Sequence, residues 1–278
     1  MRVQIHSPSD TDAFPEAWRD GMIKHELAEA LRAAGHDICY AEAELNIWLW
    51  GSIGGVLRTD QRHVAWVVSH PEAWLDFLLR PGMAKLFTHA YCASESVASV
   101  TASYGIVATH LVCPAPTRPD VEDVAPEYSI AFVGNSNPAK GRDMLRKVFA
   151  KYPSLVAGNG WGDIAQGTYI PWKDIAPTVN RAKLYVHTSY PDMRKWGIMP
   201  DNVLDIAANT GALVLHDSVR AAEDLPLSGP TFENEAELME KVAELLAHES
   251  MRREWEVAQR ADALKHCGFE RAAEVIAS

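Results

Sequence analysis

Two stretches of the chain set polar and charged side chains where a phosphate or a hydroxyl could meet them. Residues 134–142, GNSNPAKGR, follow the apolar run Ile130 to Val133 and open a helical pattern. Backbone N–H groups at such a strand end, with Gly134, Asn135 and Ser136 in the turn and Lys140 and Arg142 at the helix start, suit a bound diphosphate. The stretch is neither a Walker loop nor the GxGxxG fingerprint, and a surface turn with two solvated cations is the plain alternative. It also fails the GxSxG pattern of a serine hydrolase. Residues 200–217, PDNVLDIAANTGALVLHD, place Asn202 and Asp205 three apart on one face of a helix's first turn, ahead of an apolar helix and strand. A carboxylate there could accept a ribose diol; alternatively, Asp201 caps the helix and Asp205 complements its dipole.

In the first half the candidates are sparser. His70, in WVVSHP, leaves a strand end where its ring could reach a phosphate or sugar, although a lone histidine is commonly structural. Asp10, Asp12 and Asp20 lie in or just after the loop that follows the first strand. A carboxylate there could deprotonate an acceptor hydroxyl lying within about 3 Å, while turns and caps are the ordinary use of such aspartates.

The elements that must position these groups alternate short apolar runs with helix-period segments, the sign of a parallel α/β architecture. Strands are expected at Val3 to His6, Ile47 to Trp50, Val64 to Val68 and Leu86 to Ala90. A helix carries Ile23, Leu27 and Leu31 at spacing four and stops at Gly35. Residues 113–128, CPAPTRPDVEDVAPEY, are rich in proline and acid without apolar periodicity, so they read as a linker with a boundary near residue 120. That division gives an acceptor-side unit, 1–120, and a nucleotide-binding unit, 121–278, ending in helices. In the second unit, strands are expected at Ile130 to Val133, Leu155 to Ala157, Lys183 to His187 and Ala212 to His216, with a helix at Arg142 to Tyr152. Asn234 and Glu237 form a capping box before an apolar face that includes Leu238, Val242 and Leu245.

Composition excludes several classes. A net charge of -11 and a pI near 5.4 disfavour bulk nucleic acid as a partner. The amino terminus lacks the apolar core of a signal peptide and no apolar run approaches the roughly 18 residues of a membrane span, so a cytoplasmic location is expected. The four cysteines, Cys39, Cys92, Cys113 and Cys267, show no metal-ligand spacing and read as buried free thiols.

In five segments the chain resembles the bacterial and phage glycosyltransferases related to the CgeB spore maturation protein. These are WRDGMIKHELAEALRAAGHDI, VAWVVSHPE, IAFVGNS, YIPWKDIAPTVNRAKLYVH and, most specific of all, PDMRKWGIMPDNVLDIAANTGALVLHD. The resemblance implies an α/β GT-B fold, two Rossmann-like domains facing across a cleft. It implies that Gly134 to Ser136 with Lys140 or Arg142 face a diphosphate, that Tyr169 and Ile170 lie by the base and that Asp205 binds the ribose. Asn202 and Arg194 would line the phosphate and sugar side, His70 would touch the donor sugar, and Asp20 would be a base or sugar contact. Asp205 stands where relatives usually have Glu, and Asn209–Thr210 is one residue longer than the family's turn. The implied reaction moves a sugar from a nucleotide-diphosphate donor, UDP-linked by expectation, to an acceptor hydroxyl on a glycan, a metabolite or a modified phage DNA base. Such enzymes need no metal and no further cofactor, because helix dipoles and cations offset the charge of the leaving diphosphate. A non-catalytic nucleotide-sugar-binding or scaffold protein is the alternative, and an α/β dehydrogenase comes last for want of GxGxxG after any strand.

Overall fold

The computed structural model describes residues 1–7, 19–49, 60–118 and 124–278. The expected boundary near residue 120, and the candidates Asp10 and Asp12, lie outside them. The chain begins with β1 (Arg2–His6), α1 (Arg19–Ala33), β2 (Asp37–Ile38), β3 (Leu45–Leu49), β4 (Arg62–Val67), α2 (Pro71–Leu78), β5 (His89–Cys92), α3 (Glu95–Ser103) and β6 (Val107–His110). It continues with β7 (Tyr128–Val133), α4 (Asp143–Lys151), β8 (Ser154–Ala157), α5 (Trp172–Val179), β9 (Ala182–His187), α6 (Pro191–Trp196), α7 (Asp201–Asn209) and β10 (Leu213–His216). Four helices close it: α8 (Val219–Asp224), α9 (Glu235–Ala247), α10 (Glu249–Leu264) and α11 (Glu270–Ala277).

Among the described residues the strands form two parallel sheets, β2-β1-β3-β4-β5-β6 and β10-β9-β7-β8. Strands covered on both faces must be apolar on both, and β3 is buried at all five positions. Val64 and Trp66 of β4 face a core shared with α1, whereas Ala65 and Val67 face one shared with α2 and α3. The second sheet is built likewise, with Tyr185 and Val214 towards α7 and α10 and Phe132 and Leu215 towards α4 and α9. At the edge strand β10, Gln259 completes the missing ladder: its amide accepts from Val214 N at 2.8 Å and donates to Val214 O at 3.0 Å.

Several expected bounds shift. The fifth strand starts at His89 rather than Leu86, because residues 84–86 tighten into a 3-10 turn. Two cysteines, Cys39 and Cys267, are half-buried rather than buried, and all four are free. Asp201 does not cap α7; Pro200 is the N-cap and Asp201 the first helical residue. The largest departure is α11. Its place in the chain assigns it to the second unit, yet Phe269, Ala272, Ala273 and Ile276 lie in the core of the first sheet, where Tyr91 Oη donates to Val275 O at 2.8 Å.

Candidate functional site

An open parallel sheet binds ligands where the strand order reverses, since loops on either side of that point diverge and leave a crevice. In the second sheet β7 pairs with both β8 and β9, so the reversal falls between β7 and β9. The loop after β7 is 134–142, and the loop after β9 leads through Tyr190 into α6. In the first sheet the reversal falls between β1 and β3, and there Ser7 Oγ donates to Asp20 Oδ2 at 2.9 Å.

A groove of about 160 Å³ opens at the end of the second sheet, lined by Gly134, Asn135, Gly158, Thr168, Tyr169, Ile170, Tyr185 and Asn202 among others. It brings together five expected residues: Gly134, Asn135, Tyr169, Ile170 and Asn202. Its floor is held by close approach of two loops. Gly134 N donates to Ala157 O at 2.8 Å, Ser136 N to Asn159 O at 2.7 Å, and Asn159 N to Asn135 Oδ1 at 2.8 Å. Arg142 is 5% exposed and turns inward: its guanidinium donates to Asn135 O and Thr188 Oγ1 and lies 4.9 Å from the Phe132 ring centre. It therefore braces the loop from behind, a role the spacing alone did not separate from phosphate binding. Asn202 Nδ2 lies 3.1 Å from His187 Nδ1 and 3.5 Å from Tyr185 Oη.

Beside this groove a cluster joins the two sheets' loops. Lys140 Nζ sits 3.8 Å from the Tyr190 ring centre, and the His70 ring lies 4.4 Å from the same tyrosine. His70 Nδ1 is 3.8 Å from Asp192 Oδ2. Burial, reinforced by Arg142, pushes the Lys140 ammonium down to about 7. Burial also lowers His70, against the pull of Asp192. His70 has φ 46 and ψ 53, a left-handed backbone that non-glycine residues seldom adopt, and such strain collects at functional sites. Arg194 Nη1 donates to Asp217 Oδ2 at 2.6 Å, and Asp217 also accepts from Ser189 N.

Asp205 is placed differently from the expectation. It is fully buried behind the groove, where Arg118 Nε and Nη2 each reach one of its oxygens at 2.9 Å and Asn209 Nδ2 adds a third bond at 3.0 Å. Arg118 sits in the Pro-rich segment with the composition of a linker, and nothing in its spacing marks it. The signal that could have found it is the carboxylate itself, since an aspartate inside VLDIAA demands a cationic partner once buried. Tyr190 likewise carries no distinguishing pattern in the sequence, and Asp192 has none beyond its place in the segment PDMRKWGIMP. Among the described residues no group of three or more His, Cys, Asp or Glu side chains could hold a metal ion, and no helix is long and apolar enough to cross a membrane.

Known structures share this architecture over almost the full chain. T4 phage BGT in complex with UDP and Mn2+ superposes with a TM-score of 0.63 at 11% identity, covering 99% of this chain and 97% of that one. Sucrose-phosphate synthase from Thermosynechococcus elongatus gives 0.69 at 10% identity with the same coverage. An alpha-glucosyltransferase in complex with UDP-glucose and DNA containing an abasic site gives 0.68 at 8% identity, covering 100% of both chains. At such identities the likeness establishes the fold, which is GT-B. No curated protein matches the chain in sequence. A family model described as glycosyl transferase-like does match, over residues 139–277, half of the chain and the part that carries Lys140, the Tyr190 loop and α7. The chain belongs to the glycosyl transferase-like family.

Proposed function

We propose that the protein transfers a sugar from a UDP-sugar to an acceptor hydroxyl. The observation that carries this reading is the groove at the strand-order reversal of the second sheet, formed in a GT-B chain by residues 134–135 on one side and 168–170 on the other. The base rests by Tyr169 and Ile170. The diphosphate meets the N–H groups of Gly134 to Ser136 and the ammonium of Lys140, while Arg142 and Arg194 hold the surrounding loops. His70, brought from the other sheet to the edge of the same cluster, contacts the sugar. Asp20, at the reversal of the first sheet, receives the acceptor's proton. T4 phage BGT and the alpha-glucosyltransferase are described with UDP or UDP-glucose, which supports UDP as the first nucleotide to try.

The acceptor is a glycan, a metabolite or a modified DNA base. The DNA in the alpha-glucosyltransferase complex supports the last, and the net charge of -11 opposes it. The reading includes a cytoplasmic location and metal independence, with Lys140 and the loop amides taking the part a divalent ion plays elsewhere. Domain closure over the donor excludes water.

Thermal melting with UDP, GDP, ADP, TDP and CDP tests the donor class. A ligand at a hundredfold excess over its Kd stabilises the folded state by about 2.7 kcal/mol, which moves the midpoint by several degrees. UDP is expected to give the largest shift, unchanged by EDTA; a chain whose midpoint moves with none of the five is not a nucleotide-sugar enzyme. Release of UDP from UDP-sugars without acceptor then separates an enzyme from a mere binder.

A further inference from the structure

Among the described residues the nucleotide groove has no carboxylate in its lining, although ribose is commonly held by one. Its polar side chains are those of Asn135, Thr168, Tyr169, Tyr185 and Asn202. Two of these are committed. Asn135 Oδ1 accepts the Asn159 N–H that ties the loops together, and Tyr185 Oη stands behind Asn202 at 3.5 Å. The carboxylate one helical turn beyond, Asp205, is fully buried with both oxygens in a bidentate fork from Arg118. Arg118 is fastened in turn: Nη2 donates to Trp172 O at 3.3 Å, its guanidinium carbon lies 5.4 Å from the Trp172 ring centre, and its side chain is 10% exposed. Withdrawing that arginine to admit a diol would strand a buried charge on each side, which is strongly unfavourable.

Resting on the nucleotide-sugar reading above, we propose that Asn202, and not a carboxylate, reads the vicinal hydroxyls of the donor's ribose, while the Arg118–Asp205 pair serves the fold alone. Residues three apart share a helix face, so Asn202 is the polar group of that face which reaches the groove. Its Nδ2 is turned towards His187 Nδ1 and Tyr185, which leaves the amide oxygen, an acceptor with two lone pairs, for two neighbouring hydroxyl donors. The pair beneath fixes α7 to the segment at Pro116 to Arg118, since Asn209 bonds both Asp205 Oδ1 and Pro116 O at 3.0 Å. Arg118 and Asp205 thus hold α7 in place, and of the three only Asn202 touches ligand.

Calorimetric titration of the full chain with UDP and 2′-deoxy-UDP tests this, in wild type and in Asn202→Ala, Arg118→Lys and Asp205→Asn. Wild type is expected to prefer UDP about tenfold, the worth of one net hydrogen bond. Asn202→Ala brings the two ligands to equal affinity. Arg118→Lys and Asp205→Asn lower the melting midpoint while the ratio stays; should Asp205→Asn fail to fold, the lysine variant, which keeps the charge, carries the same comparison. A ratio that survives Asn202→Ala, or that changes in Arg118→Lys, overturns the assignment, as does a wild type indifferent to the 2′-hydroxyl. Failure of UDP, GDP, ADP and CDP alike to bind wild type instead overturns the nucleotide-sugar reading itself.

Discussion

Lys140 shows how one side chain's surroundings become a measurable property. The ammonium packs on Tyr190 with Arg142 close by, and burial, with that neighbouring charge, pushes its pKa to about 7 from an ordinary 10.5. The unfolded chain therefore binds a proton that the folded chain lacks between about pH 7 and 10.5, so folding stability rises with pH across that window and levels off below 7. A diphosphate beside Lys140 favours the charged form and raises the pKa again. UDP binding at pH 8 is accordingly expected to take up a proton, read as a dependence of the binding enthalpy on the ionisation enthalpy of the buffer. Lys140→Met should abolish the uptake and flatten the rise in apo stability; an uptake that persists in the variant would mean that the diphosphate lies away from Lys140. Gly134, Asn135 and Asn202, which their spacing in the sequence made candidates, line the groove, and that much was legible. The pairing of Arg118 with Asp205 was not, since it spans 87 positions and depends on which helix face is buried.

Among elements, the loops after β7 and β8 are the most tightly constrained part of the groove. A Cβ added to Gly158 would lie 2.1 Å from Gly134 O, and Gly158 has φ +140. Gly158→Ala must therefore push the two loops apart, at a cost of about 1–3 kcal/mol in stability, and the groove between them goes with it. The expected result is a lower midpoint that UDP no longer raises. Gly105, at φ +82 with nothing within 4 Å of an added methyl, is the control: Gly105→Ala strains the backbone alone, so its midpoint falls but UDP still raises it. A Gly158→Ala protein that keeps the full UDP response would show the nucleotide bound elsewhere. Long periodic elements such as α1 and the strands expected at Val64 to Val68 and Lys183 to His187 were readable from their patterns, and they appear as β4, Arg62–Val67, and β9, Ala182–His187. The two-residue β2 and the edge strand β6, with its half-exposed alternation, were not, because their existence depends on a neighbouring strand rather than on their own apolar content.

At the scale of the whole molecule, the second unit lends elements to the first, and this no local pattern announces. Met193 and Ile198, flanking the end of α6, are buried against Trp74 and its neighbours on the first sheet, and α11 closes the opposite face of that sheet. The exposed polar contacts across the same boundary are weaker. Lys195–Glu72 at 2.6 Å is half exposed on both sides, worth no more than about 1 kcal/mol, and Arg220 adds one bond to Ser96 at 3.0 Å. Beside the buried Arg118–Asp205 pair, coupling between the units therefore rests on apolar burial, and Ile276, fully buried in the first core though it belongs to the second unit in sequence, is the place to test it. Ile276→Ala should cost about 2–5 kcal/mol. If the shared cores make the chain one cooperative unit, urea unfolding followed by circular dichroism and by tryptophan fluorescence stays coincident in the variant, and UDP, bound to the second sheet, raises the midpoint of damage done in the first. Separate transitions, with UDP protecting only one of them, would mean that α6 and α11 are lodged in the neighbouring unit without binding its stability to their own.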